Sequence, residues 1–229
     1  MSYSDSRLYV ALDLPSVSEA ENLVKVLGDS VSSYKIGLQL LPIGGVEFGQ
    51  RLKAQGKQVF YDFKLHDIGA TVEKATRSIA GLGADLLTVH ARPDVMQSAV
   101  IGRGESSLKL LGVTVLTSLD QAALGAIGYH DDAMTLVMRR VEQSVEAGMD
   151  GVVSSPLEAA AIRAVVPDDF LIVTPGVRMP GGEAGDQKRI ATPGDALKSG
   201  ASHLVVGRPI SAAKDPRQAA LNILDNMTS

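Results

Sequence analysis

Short apolar, β-branched runs recur along this chain, each followed by a stretch of helical periodicity, and that alternation restricts its fold more than any other feature. The runs are Leu8–Leu14, Tyr34–Leu38, Gln58–Leu65, Asp85–His90, Leu110–Thr117, Gly151–Ser154, Phe170–Thr174 and His203–Gly207, eight in all. Between them, apolar residues return at helical spacing in Val17–Leu27, Val46–Lys53, Val72–Leu82, Ala133–Ala147, Leu157–Val165 and Pro193–Lys198. Ser16, with Glu19 three residues on, reads as a capping box that opens the first helix. Gly28, Gly56, Gly83, Gly148 and Gly200 each stand just past an apolar helical stretch, where a helix terminator is expected. One phrase repeats, with helix, glycine, small residue and then strand. It occurs as Gly83-Ala84-Asp85, Gly148-Met149-Asp150 and Gly200-Ala201-Ser202. Connections this short belong to compact α/β units, and strict βα alternation implies a parallel sheet. Eight strands in 229 residues favour a single-domain (β/α)8 TIM barrel over residues 1–229, although pattern alone also allows a doubly wound sheet.

Composition supports an enzyme-sized globular domain. Apolar residues make up 45% of the chain and aromatics only 4%, so the core must be built from Val, Ile, Leu and Ala, as parallel barrels are. The formal charge of −4, without basic runs or a basic helix, argues against a nucleic-acid or membrane-surface partner. The absence of cysteine excludes disulfides, thiolate nucleophiles and Cys-ligated metals, and suits a reducing cytoplasm. Met1 to Arg7 is polar, unlike a signal peptide. No apolar run approaches the length of a membrane span. The expected location is cytoplasmic.

In a barrel, chemistry collects where strands end and βα loops begin. Strand one ends in Ala11-Leu12-Asp13, strand two carries Lys35, and strand three ends in Asp62-Phe63-Lys64-Leu65-His66-Asp67. A period of two puts Asp62 and Lys64 on one face of strand three, with Phe63 and Leu65 on the other. The apolar face belongs against helices, so the charged pair should enter the barrel mouth, where Lys35 could join it. Alternating lysine and aspartate favours the ammonium form of each lysine. Such a lysine can donate a proton but is a poor Schiff-base nucleophile. A lone D-x-K would be an ordinary strand ion pair; Lys35, Asp13 and Asp67 at neighbouring strand ends shift the balance to function.

A second signal lies at the end of the chain. Val205-Val206-Gly207-Arg208 places glycine and arginine where the last strand meets its loop, a common phosphate position in barrels. After strand seven come Thr174-Pro175-Gly176-Val177-Arg178 and the glycine-rich run from Pro180 to Gln187. The composition of that run fits a lid over a phosphate and an exposed surface loop equally well. The four histidines, His66, His90, His130 and His203, have no metal-ligand spacing, and no Rossmann or P-loop glycine signature is present. No metal is expected.

Together these residues resemble the orotidine 5'-monophosphate decarboxylase family, particularly its bacterial form, over nearly the whole chain. The resemblance rests on Ala11-Leu12-Asp13, Lys35-Ile36-Gly37-Leu38, Asp62-Phe63-Lys64-Leu65-His66-Asp67-Ile68, Val113-Thr114-Val115-Leu116-Thr117-Ser118, Thr174-Pro175-Gly176-Val177-Arg178, Gly185-Asp186-Gln187 and Val206-Gly207-Arg208. It implies decarboxylation of orotidine 5'-monophosphate to UMP and CO2, the last step of de novo pyrimidine nucleotide synthesis, with no metal or organic cofactor. Lys35, Asp62, Lys64 and Asp67 match the family's charged catalytic array. The resemblance makes Lys64 the proton donor to C6, sets Asp62 beside the substrate carboxylate, and gives Lys35 and Asp13 the ribose hydroxyls. Thr117 matches a base-contacting position, and Arg178, Gln187, Gly207 and Arg208 match a phosphate-gripping set. Asp67 and Thr71 match residues that reach the active site of the partner subunit, which implies a homodimer.

The chain departs from the family at Gly69, where D-I-P-x-T is usual. That glycine resembles the D-x-K-x-x-D-x-G signature of 3-keto-gulonate-6-phosphate decarboxylase and hexulose-6-phosphate synthase. Those relatives use magnesium, held partly by an acidic residue at the end of strand two. Lys35 occupies that place here and would repel the metal. A barrel that only binds a phosphate ligand would have no need of Lys64.

Overall fold

The computed structural model describes residues 4–180 and 191–228. The strands are β1 (Leu8–Ala11), β2 (Ser33–Gly37), β3 (Gln58–Leu65), β4 (Leu86–His90), β5 (Lys109–Val113), β6 (Gly151–Val153), β7 (Leu171–Thr174) and β8 (His203–Val206). The helices are α1 (Val17–Leu27), α2 (Gly45–Ala54), α3 (Gly69–Gly81), α4 (Pro93–Arg103), α5 (Gln121–Ala126), α6 (Ala133–Glu146), α7 (Ala159–Arg163), α8 (Pro193–Lys198), α9 (Arg208–Ser211) and α10 (Pro216–Met227). All strands are parallel, each pairs with its sequence neighbour, and β1 closes on β8 through the register Leu8↔Leu204 to Val10↔Val206. The sheet is therefore the closed barrel, and the doubly wound alternative is removed. No described helix is long and apolar enough to cross a membrane.

Strand alternation divides the apolar residues into two populations. Tyr9, Ala11, Phe60, Leu86, Leu111, Val173 and Val205 fill the barrel interior, with Tyr9 edge-on to Phe60 at 5.7 Å between ring centroids. The alternate strand positions, such as Val10, Tyr34, Ile36, Val59 and Val152, belong to a larger cluster beneath the helices. Close helix approach is made possible locally: a Cβ on Gly49 in α2 would lie 2.2 Å from the Tyr61 hydroxyl, which donates to the Val46 carbonyl.

The repeated phrase has a clear physical role at the base of the barrel. Its glycines have φ near 71°, 76° and 103°, the left-handed turn that stops each helix. Its polar last residue then ties the incoming strand to the preceding one. Asp85 accepts from Val59 N at 2.6 Å, Asp150 from Leu110 N at 2.9 Å, and Ser202 Oγ from Ile172 N at 2.8 Å. These are the first free amides of β3, β5 and β7, so the phrase satisfies strand ends that would otherwise be left without a partner. Lys53 pairs with Asp85, and Arg103 and Lys109 pair with Asp150.

Two strand predictions run too long. β1 stops at Ala11 rather than Leu14, and β5 stops at Val113 rather than Thr117. The apolar run continues in both because the loops that follow are themselves buried, with Leu12 0% and Val115 3% exposed. Helix α4 escapes the periodicity because its exposed side carries Ile101, and α10, also unpredicted, opens on an Asp215 cap followed by Pro216.

Replacing Asp150 with alanine should cost about 1–3 kcal/mol by stranding the Leu110 amide and two cations. Thermal melting would then fall by several degrees without loss of the folded baseline; an unchanged midpoint would remove the strand-tying role.

Candidate functional site

At the opposite end, the strand termini enclose a cavity of about 490 Å³. Asp13, Lys35, Asp62, Lys64, Thr117, Arg178, Gly207 and Arg208 all line it, so most of the residues expected from sequence converge on one space. Asp67 and Thr71 do not line it; both are exposed on the rim, beside Ile68, which is 69% exposed. Gln187, with Gly185 and Asp186, lies outside the described residues, as does the glycine-rich run beyond Pro180.

The floor of the cavity is a chain of alternating charges. Lys35 Nζ lies 3.1 Å from Asp13 Oδ1 and 3.2 Å from Asp62 Oδ2; Lys64 Nζ lies 2.8 Å from the same Asp62 oxygen. Lys35 and Asp62 are almost wholly buried, Lys64 is partly open and Asp13 is half exposed. Burial opposes the Asp62 carboxylate, but the Lys35 and Lys64 charges, with hydrogen bonds from Lys64 and Thr88, outweigh it and hold its pKa below the ordinary value. Burial likewise opposes the Lys35 ammonium, and the charges of Asp62 and Asp13 outweigh it and hold its pKa up. The two partners agree: the pair is ionised at neutral pH.

Lys64 does not arrive by simple strand alternation. The β3–β4 register shifts between Tyr61 and Leu65, and Lys64 has φ 48°, the only positive φ at a non-glycine among the described residues. Its backbone amide donates to Thr88 Oγ1 on β4 at 3.0 Å, in place of a ladder bond. The shared face anticipated for Asp62 and Lys64 is thus achieved through a bulge. Gly37 is also set by the site, since a Cβ there would stand 2.7 Å from Asp13 Oδ1 and 3.0 Å from Lys35 Nζ. In the sequence Gly37 stands out only as part of a motif, and Thr88 does not stand out at all, since its hydroxyl carries no signature of its own.

The same cavity is lined by Arg178, which follows β7, and Arg208, which opens α9. Burial, and then the neighbouring Arg208 charge, lower the pKa of Arg178 from its ordinary value. Both guanidinium groups line the same cavity, and guanidinium pairs are of the kind that recognise anions. Gly207 has no steric requirement for glycine, as a Cβ would meet Ala11 Cβ at an ordinary 3.5 Å.

Beyond the rim, Asp67 Oδ1 accepts from the Ile68 amide at 2.6 Å. Gly69 begins α3, and a Cβ there would lie 2.6 Å from Ser98 Oγ on α4, so a larger residue requires that hydroxyl to move. His66 and His90 stack at 4.8 Å, and burial, with His66, Arg140 and Lys64 nearby, lowers the pKa of His90 to about 4. Among the described residues, no group of three or more His, Cys, Asp or Glu is placed to hold a metal ion.

Comparison with known proteins came to the same family as the motifs. A profile of the family described as orotidine 5'-phosphate decarboxylase / HUMPS matches residues 6–223. The orotidine 5'-phosphate decarboxylase of Caulobacter sp. (strain K31) is 59% identical over 98% of both chains. That of Caulobacter vibrioides (strain NA1000 / CB15N) is 57% identical, again over 98% of each. The crystal structure of orotidine 5'-phosphate decarboxylase from Lactobacillus acidophilus superposes with a TM-score of 0.85 at 35% identity, covering 98% of this chain and all of that one.

A depressed Asp62 pKa contributes stability that is present above its unfolded value of about 4 and lost as pH falls toward the lower folded value. The melting temperature should therefore fall on acidification below about pH 4. Asp62→Asn should flatten that acid limb, and identical limbs in the two proteins would show that Asp62 is not held ionised by the fold.

Proposed function

The chain belongs to the orotidine 5'-phosphate decarboxylase / HUMPS family, and from that premise we propose that it converts orotidine 5'-monophosphate to UMP and CO2 in pyrimidine nucleotide synthesis, using Lys64 as the proton donor and no metal or organic cofactor. The observation that carries this reading is the Asp13–Lys35–Asp62–Lys64 chain in one cavity with the paired arginines. A nucleotide carries a phosphate, two ribose hydroxyls and a base, and the cavity offers a matching group for each.

Arg178 and Arg208 take the phosphate, helped by Gly207 and by Gln187. Asp13 and Lys35 take the ribose hydroxyls, and Thr117 faces the base. That arrangement turns the pyrimidine carboxylate toward Asp62 and C6 toward Lys64. The C6–carboxylate bond breaks, CO2 departs and the electron pair remains on C6 in the ring plane, outside the π-system. The ammonium of Lys64 lies ready to stabilise that charge without reorganisation, which is where electrostatic catalysis is strongest. A proton then passes from Lys64 Nζ to C6, giving UMP and a neutral lysine that is reprotonated from water. The negative Asp62 opposes the substrate carboxylate but not the transition state that has lost it, so its repulsion acts on the ground state. Binding energy at the remote phosphate can hold the ring against that repulsion.

Lys35 also argues against the magnesium-dependent sugar-phosphate chemistry of the wider family. Buried and raised in pKa, it sets a cation where an acidic ligand would be needed. Asp67 and Thr71 act, on this reading, in the cavity of a second subunit. Their exposure on the rim and absence from their own cavity support that assignment.

The test is product analysis with two variants. The protein should release UMP from orotidine 5'-monophosphate, and Lys64→Ala should lower kcat by about a hundredfold or more while still binding UMP. Arg208→Ala should instead raise KM, by about tenfold or more, as expected for a lost charge-assisted contact to phosphate. Unchanged turnover in Lys64→Ala would remove Lys64 from its role.

A further inference from the structure

Asp62 and Lys64 are held by a residue to which neither motif nor family resemblance assigned a part. Thr88 lies in β4, is 0% exposed, and directs its side chain to the interior beside β3. Its single hydroxyl makes two bonds of opposite sense. It donates to Asp62 Oδ1 at 2.9 Å and accepts from the Lys64 amide at 3.0 Å. Asp62 keeps its other oxygen for Lys35 and Lys64.

The place where this occurs is informative. The β3–β4 ladder holds Tyr61 opposite Leu87 and Leu65 opposite Val89, so three residues of β3 face the single residue Thr88. The excess carries Lys64 into φ 48°, a left-handed backbone conformation that is unfavourable for a non-glycine residue. Such strain persists only where its surroundings fix it. The Thr88 hydroxyl is the group that accepts the displaced Lys64 amide. In the same act it turns the Asp62 carboxylate so that its second oxygen faces both lysines.

We propose that Thr88 is a positioning residue for the decarboxylation, a two-way hydroxyl clamp that fixes the Lys64 backbone and the Asp62 carboxylate in one geometry. The inference rests on the functional reading above only in the name of the reaction; the clamp itself is a property of the fold. Valine has the shape of threonine without its hydroxyl, and serine keeps the hydroxyl without the methyl. The pair therefore separates hydrogen bonding from packing. In Thr88→Val the bulge loses its anchor, Lys64 Nζ is no longer delivered to one position, and Asp62 loses a hydrogen bond that favours its charged form.

The experiment compares the unmodified protein with Thr88→Val and Thr88→Ser, each checked for cooperative melting. Turnover of orotidine 5'-monophosphate is followed together with titration of the Asp62 carboxyl carbon by 13C NMR. The expected result is a kcat about tenfold or more lower in Thr88→Val with KM little changed, near-normal kcat in Thr88→Ser, and an Asp62 midpoint that rises in the valine variant alone. A valine variant with normal kcat and an unmoved midpoint would overturn the clamp, as would a serine variant as impaired as the valine one. Should the unmodified protein leave the nucleotide intact, the reaction assigned to the site fails, while the Asp62 midpoint still decides whether Thr88 holds the pair.

Discussion

One carboxylate organises the mouth of this barrel. Asp62 meets Lys35 at 3.2 Å, Lys64 at 2.8 Å and the Thr88 hydroxyl at 2.9 Å, with its side chain only 12% exposed. A charge buried this far costs several kcal/mol unless it is both paired and hydrogen-bonded. Here both conditions hold, and they hold only while β2, β3 and β4 keep their registers. The ion chain is thus fixed by the closed sheet, and in return it fixes where Lys64 Nζ stands. Gly37 leaves room for Asp13 beside Lys35, and the bulge at Lys64 carries the last cation into the cavity.

The two ends of the barrel divide the work. At the base, Asp85, Asp150 and Ser202 tie successive strands through their backbone amides, contacts that concern stability alone. Between base and mouth lies a thin apolar plug around Tyr9, Phe60, Leu111 and Val173. It lies between the structural charges at the base and those of the cavity, and Asp62 is itself buried, where fixed charges act more strongly than in water. Arg178 and Arg208 line the same cavity, which thus carries two guanidinium groups besides the alternating charges of its floor.

Much of this was legible in the residues themselves. Alternating short apolar runs and helical stretches are local patterns, and the glycine phrase marks the turns, so eight parallel strands with a barrel favoured could be read from them, while closure of β1 on β8 depends on pairing between distant strands. Lys35, Asp62 and Lys64 could be placed because strand ends carry the charges. What escaped was what depends on contacts between strands. Thr88 looks like any strand threonine until its partner β3 is seen to be out of register. Gly69, which stands where the family usually has proline, begins a helix packed closely on Ser98. β1 and β5 were overextended because buried loop residues such as Leu12 and Val115 mimic strand. Asp67 and Thr71 find no partner in their own cavity, and their assigned role across a dimer rests on resemblance rather than on any contact within the chain.

The central claim is that fixed charge from side chains alone can carry the chemistry of this cavity. Its most direct test is the rate at which chelator-treated protein consumes orotidine 5'-monophosphate, followed by ultraviolet absorbance. The account predicts rapid loss of substrate with UMP as product, at a rate that added magnesium leaves unchanged. A protein inert toward the nucleotide, and active only once magnesium and a sugar phosphate were supplied, would contradict it and require a different role for Lys35.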